Sequence, residues 1–177
     1  MIYFAGIIYF CGQVMQMSKY FWIIFLLSII SAGCKNENSG AKNDDGTLQW
    51  LTIEEADAIR KSGTDKKFLV DVYTDWCGWC KVMDKKTFTD PTLIAYLNKN
   101  FHVVKFNAEQ KETVRFKDQD YIWEPLGRNG INKLGLTLLQ GRLSYPSLVY
   151  LNQDMEIMAI SPGFKEAPQL MAELSSL

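Results

Sequence analysis

The chain predicts a single α/β domain in which a mixed sheet carries helices on both faces. Three observations point there. Phe68–Tyr73 is apolar at nearly every position except Asp71, the pattern of a strand buried at the centre of a sheet. Helical patterns separate it from the next strand, Phe101–Phe106, and a crossover of that length makes the two parallel. Near the C-terminus, Ser147–Leu151 and Glu156–Ile160 are joined only by the turn Asn152–Asp154, a spacing that forces them antiparallel.

The remaining elements follow in order. Thr52-Ile53-Glu54-Glu55 is a capping box, with Thr52 as N-cap and Glu55 reaching back. Ile53, Ala56 and Ile59 continue it as the apolar stripe of a helix running to about Lys61, and Gly63 ends it. A helix beginning at Cys77 turns Cys80, Val82 and Met83 inward and Lys81, Lys85 and Lys86 outward. Asp90-Pro91 opens another, with Asp90 as N-cap, Pro91 at the first position and Leu93, Ile94 and Leu97 on the buried face. Thr113–Trp123 reads as two short strands around the polar turn Lys117–Asp120. Ile131–Leu139 reads as a helix weakened by Gly135. Ala167–Leu177 closes the chain as a helix.

Residues 1–34 read as a targeting segment. Lys19 precedes the apolar run Tyr20–Ile30, and small residues follow. The run is shorter than the ~20 apolar residues of a membrane-spanning helix. Met17-Ser18-Lys19 gives a compact alternative start. Ser31-Ala32-Gly33-Cys34 resembles the lipobox of bacterial lipoproteins, which implies acylation of Cys34. That pattern's leucine three residues before the cysteine is here Ser31, with Ile30 one place further back. The other possibility is an uncleaved anchor using Ile2–Cys11 and Tyr20–Ala32. Both arrangements tether the rest of the chain to a membrane outside the cytoplasm. Residues 35–47 are polar, lack large apolar side chains and read as a flexible tether. Residues 48–177 form the domain, long enough to bury a core. A formal net charge of −1, with no basic block, argues against a nucleic-acid partner.

The domain's chemistry is concentrated in Phe68–Lys81. Cys11 and Cys34 belong to the N-terminal region, so Cys77 and Cys80 are the domain's only pair of thiols. They stand two residues apart, past a strand and at the start of a helix, where they can form and break one disulfide. The first thiol sits where unpaired N–H groups and the helix dipole stabilise a thiolate, the attacking species in disulfide exchange. A structural disulfide or half a zinc site are the alternatives. Zinc needs about four ligands, and the lone histidine, His102, lies in a remote strand with no second CxxC. His102 reads as a strand residue near the surface, and Lys85-Lys86 as a solvated helix face.

Three separated elements together resemble the thioredoxin superfamily: Trp76-Cys77-Gly78-Trp79-Cys80-Lys81, Asp71 six positions before Cys77, and Tyr145-Pro146-Ser147 before a strand. Over Tyr73–Pro91 the likeness is greatest to the thioredoxin-like C-terminal domain of the bacterial transmembrane disulfide reductase and to secreted thioredoxin-like proteins. The resemblance implies a thioredoxin-like three-layer sandwich over residues 48–177, with a hairpin-plus-helix insertion, 109–142, ahead of a cis-proline. It implies that Cys77 is a nucleophile with an exposed sulfur and a depressed pKa, and that Cys80 is the buried resolving thiol. Asp71 becomes a buried carboxylate that takes a proton when Cys80 ionises. An outward-facing residue at the sheet edge is the plainer possibility for Asp71. Pro146 is expected to be cis, with the Tyr145 backbone pairing to an extended substrate. Trp76, Trp79 and Tyr145 form an apolar rim, although core packing accounts equally well for Trp76. Gly78-Trp79 replaces thioredoxin's Gly-Pro, a dipeptide that tunes reduction potential. No cofactor is implied beyond the Cys77–Cys80 disulfide itself, and no metal.

Three functions fit these residues. The first is a membrane-tethered, periplasm-facing disulfide reductase, fed by a membrane electron-relay protein and acting on disulfide-containing extracytoplasmic proteins. The second is a disulfide oxidase or isomerase using the same dithiol. The third is a binding or chaperone module in which the cysteines are incidental.

Overall fold

The computed structural model describes residues 46–177. Cys11, Met17 and Cys34, the proposed signal, and all but the last two residues of the tether lie outside the described residues. The elements run β1 (Trp50–Leu51), α1 (Ile53–Ser62), β2 (Lys67–Tyr73), α2 (Gly78–Lys86), α3 (Pro91–Asn100), β3 (Phe101–Asn107), β4 (Val114–Phe116), β5 (Gln119–Tyr121), β6 (Trp123–Glu124), β7 (Ile131–Asn132), α4 (Lys133–Leu138), β8 (Ser147–Leu151), β9 (Ile157–Pro162) and α5 (Ala167–Ser175).

Five strands form the central sheet in the order β1-β3-β2-β8-β9. β2 lies parallel to β3, and β8 lies antiparallel to both β2 and β9. This is the mixed sheet expected from the connection lengths, with the apolar strand β2 at its middle.

Strand alternation divides the core. Phe68, Val70 and Val72 of β2 pack with Ile53 and Ala56 of α1 and with Leu134 and Leu138 of α4. Leu69 faces the other way, onto Met83 of α2, Leu93 and Leu97 of α3, and Leu170 and Leu174 of α5. Each fully buried aliphatic side chain contributes about 1.5–3 kcal/mol to this arrangement. Asp71 shares the parity of Leu69, which turns it toward the α2 side of a central strand and not outward at an edge.

The local signals hold where they are self-contained. Thr52 and Glu55 make both bonds of the capping box. Asp90 accepts from the Leu93 N–H, with Pro91 in the first turn of α3.

Three expectations are corrected, and one further strand appears. Trp50–Leu51 forms an edge strand, paired parallel with Val103–Val104, that two residues are too few to announce. The Ile131–Leu139 helix begins later. Ile131–Asn132 pair with Trp123–Glu124, and the fully buried Asn132 side chain then caps a shorter α4 by accepting from the Leu134 N–H. The hairpin turn contracts to Lys117-Asp118. Both residues take positive φ, 50° and 63°, so the two-residue turn matches strand twist. The last hairpin is offset. Asn152 accepts from the Asp154 and Glu156 N–H groups, Met155 takes a positive φ, and β9 starts at Ile157.

Gly130 closes the loop after β6. Its N–H donates to the Leu126 carbonyl at 3.0 Å, its φ is +74°, and a Cβ there would stand 2.0 Å from the Trp123 ring. Gly130→Ala is expected to cost on the order of 2–3 kcal/mol in urea unfolding, from backbone strain and overpacking together. An unchanged midpoint would mean that the loop and indole are not locked in this way.

Candidate active site

The site begins at the end of β2. The chain leaves the sheet through Thr74, whose carbonyl accepts from the Cys77 N–H at 3.1 Å, and enters α2 at Gly78. Cys77 is the N-cap of that helix. Its Sγ accepts from the Cys80 N–H at 3.0 Å and is bonded to Cys80 Sγ. The first sulfur therefore sits on an otherwise unpaired N–H at the positive end of the helix, the environment that stabilises a thiolate. The expected exposure of Cys77 is corrected. Held between the Cys80 sulfur and the Cys80 N–H, the residue is only 3 % exposed in this oxidised form. Cys80 is buried as expected.

Asp71 lies beneath this helix, 1 % exposed. Parallel register sets Lys105 of β3 opposite it. The Lys105 ammonium donates to Asp71 Oδ2 at 2.7 Å and also to Asp84, one helical turn beyond Cys80. The Trp50 and Tyr73 rings stand around that ammonium, at 4.8 and 5.1 Å. Burial pushes the Asp71 carboxyl above its ordinary range, Lys105 offsets only part of this, and the nearby Asp84 charge adds to it. Burial alone would lower the Lys105 pKa, but the two carboxylates together hold it above its usual value. Asp71 Oδ1 is buried without a partner among the described residues. Sequence reasoning missed both Lys105 and Asp84. The signals were the β2–β3 register for one and the four-residue offset from Cys80 for the other.

The aromatic residues flank the disulfide. Trp76 and Trp79 are 59 % and 62 % exposed, so neither is a core residue. Trp79 leans on Phe164, with ring centroids 5.4 Å apart, while Trp76 meets Tyr145 edge-on at 6.0 Å. The Trp76 indole N–H donates to both Glu109 oxygens, at 2.9 and 3.0 Å. The Tyr145–Pro146 peptide bond is cis. Burial, then the nearby Glu109 charge, pushes the Tyr145 hydroxyl up to about 12. The Tyr145 backbone makes no hydrogen bond among the described residues. Gly78 is exposed in the first turn of α2 and Pro146 is buried. His102 stays outside the site. It is half-buried, bonded to Thr64 Oγ1 at 2.9 Å, and burial lowers its pKa.

The chain matches the family model described as "Thioredox_DsbH: Protein of unknown function, DUF255" over residues 40–130. No curated protein matches it. Among solved structures it is similar to a thioredoxin from Thermus thermophilus (TM-score 0.54, 18% identity, 73% of this chain and 86% of that one). It is also similar to a structure titled "DsbH Oxidoreductase" (TM-score 0.52, 17% identity, 73% and 83%). A putative disulphide-isomerase from Bacteroides thetaiotaomicron is similar at 25% identity, with TM-score 0.51 and coverage of 73% and 89%. These likenesses agree with the observed layers, and the domain has the thioredoxin-like fold.

The raised Asp71 pKa carries a sign. Folding favours the protonated carboxyl, so the native state binds more protons than the unfolded chain above the ordinary carboxylate pKa. Stability then falls as pH rises from about 4 through the raised value. Asp71→Asn is expected to flatten that fall and to raise the urea midpoint at pH 7 while leaving it nearly unchanged at pH 4. A lowered midpoint at both pH values would show that the ion pair outweighs the burial of Asp71.

Proposed function

The chain belongs to the Thioredox_DsbH family and is a thioredoxin-like thiol–disulfide oxidoreductase, and from that premise we propose that it is a membrane-tethered disulfide reductase working outside the cytoplasm. The observation that carries the chemistry is the Cys77–Cys80 disulfide capping the N-terminus of α2. In the reduced protein, the Cys77 thiolate attacks one sulfur of a client disulfide. The client S–S bond breaks, and its other sulfur leaves as a thiolate that takes a proton from water. Cys80 then gives its proton toward Asp71 and attacks the Cys77 sulfur. The second client thiolate departs, the Cys77–Cys80 disulfide forms, and two electrons have passed to the client. A dithiol on a membrane relay protein returns them.

The buried charges support this direction. Asp71 and Asp84 share the single ammonium of Lys105, so the cluster disfavours further negative charge near Cys80. A thiolate that is harder to hold makes the dithiol readier to give up its electrons. The relative titled as a putative disulphide-isomerase keeps isomerisation as the competing use of the same centre. The equilibrium reduction potential of the Cys77–Cys80 pair in dithiothreitol or glutathione buffers separates them. A value near about −270 mV is expected, whereas one near about −180 mV would favour isomerisation and one near about −120 mV would make the protein a disulfide donor.

The tether rests on the sequence from Lys19 to Cys34. Among the described residues no helix is long and apolar enough to cross a membrane. Acylation of Cys34 would supply the attachment. Cys34→Ser is expected to move the protein from the membrane to the soluble fraction and to abolish labelling by a radioactive fatty acid. Retention on the membrane without labelling would favour the uncleaved anchor.

A further inference from the structure

We propose that the cleft beside the disulfide is a side-chain subsite for the client: it takes one bulky apolar residue from an extended segment flanking the client's cysteine. This rests on the redox function proposed above and adds a substrate preference to it. Six large apolar side chains stand exposed among the described residues, and three of them, Trp76, Leu126 and Leu143, line this single cleft. Scattered exposed leucines need no explanation, but convergence on one concave site does. Ile131 and Tyr145 complete the apolar wall, and the cavity measures about 340 Å³, room for one large side chain.

The wall is held open. Glu109 accepts from the Trp76 indole N–H and from the Asn129 side-chain amide, at 3.2 and 3.3 Å, which ties the tryptophan to the 126–130 loop. The Gly130–Leu126 bond closes that loop, and Leu143 comes from the separate segment leading into the cis-proline. A cleft organised before binding costs little further ordering when it is filled.

The occupant follows from continuity with the reacting atoms. Trp76 directly precedes Cys77, and Tyr145 directly precedes Pro146. A client chain crossing this edge finds the unpaired Tyr145 backbone, and a side chain near its cysteine falls between Trp76, Leu126 and Leu143. Leu126 and Ile131 come from the 109–142 segment and Leu143 from the turn after it, so the preference rests on residues outside the CxxC motif.

The test uses the full-length chain, reduced beforehand and freed of reductant. The probes are alanine-rich peptides whose single cysteine carries thionitrobenzoate as a mixed disulfide. One leucine is moved from three positions before that cysteine to three after. The release of thionitrobenzoate, less that from Cys77→Ser in which Cys11 and Cys34 remain, gives the rate of attack by Cys77. One position is expected to react roughly 10- to 100-fold faster than the leucine-free peptide, the span that one apolar side chain confers in a fitted pocket. Leu126→Asp and Leu143→Asp should each bring that ratio toward one. Ile122→Asp, which alters an equally exposed residue outside the cleft, should keep it. Equal rates along the series in the parent protein, or a ratio that survives both leucine substitutions, would overturn the subsite alone. No reaction with any peptide would remove the redox function, and the subsite with it.

Discussion

A carboxylate in the middle of the sheet is the constraint on which the rest of the site depends. Asp71 occupies a central strand among Leu69, Val70 and Val72, where an isolated charge costs several kcal/mol. Register supplies Lys105 from the next strand, and α2 supplies Asp84 as its second partner. The cluster thus joins β2, β3 and α2, the three elements that fix where the disulfide stands. Buried ion pairs are poor sources of net stability compared with well-packed apolar groups. An arrangement with two acids and one base, holding one carboxyl above its normal range, reads better as proton chemistry than as a fastening.

The same helix sets two opposed demands on its cysteines. At its N-terminus, Cys77 Sγ lies on the Cys80 N–H and at the positive end of the peptide dipoles, which favours a negative sulfur. One turn further on, Asp84 and the Asp71 cluster disfavour one. The first thiol is therefore suited to attack, and the second suited to stay protonated until a nearby base relieves it. That division of labour does not depend on which direction electrons flow. It depends on Cys77 capping the helix while Cys80 lies within it.

What was legible in the sequence was what is local. The Thr52 capping box, the Asp90-Pro91 start and the two-residue thiol spacing each lie within a few residues, and each formed as read. The resemblance carried the more distant pairing of the Cys77 motif with Tyr145-Pro146, and cis geometry at Pro146 could not have come from propensity. Relations across the fold were hidden. Nothing near Lys105 announces that it will meet Asp71, because the meeting is a consequence of strand register. Ile131–Asn132 carries enough apolar character to continue a helix, but pairing with Trp123–Glu124 and the buried Asn132 cap overrode that pattern. Trp76 could not be assigned to core or rim from its type, and the indole N–H that it gives to Glu109, 33 residues away, is not readable from the motif.

That last dependence shows how a common scaffold acquires a particular surface. The sheet and α2 position the Cys77–Cys80 disulfide, and that fold is similar in proteins that share little sequence with this one. Beyond them, the inserted segment begins at Glu109 by fixing the Trp76 indole, returns through the Gly130 loop against Trp123, and leads on to Leu143 beside the proline. Glu109, Gly130 and Leu143 line the cleft beside Trp76 and Tyr145, and none of them bonds to Asp71, Lys105 or Asp84. The cleft beside Trp76 and the Asp71–Lys105–Asp84 cluster share no residue, so the lining of one can vary while the other is held.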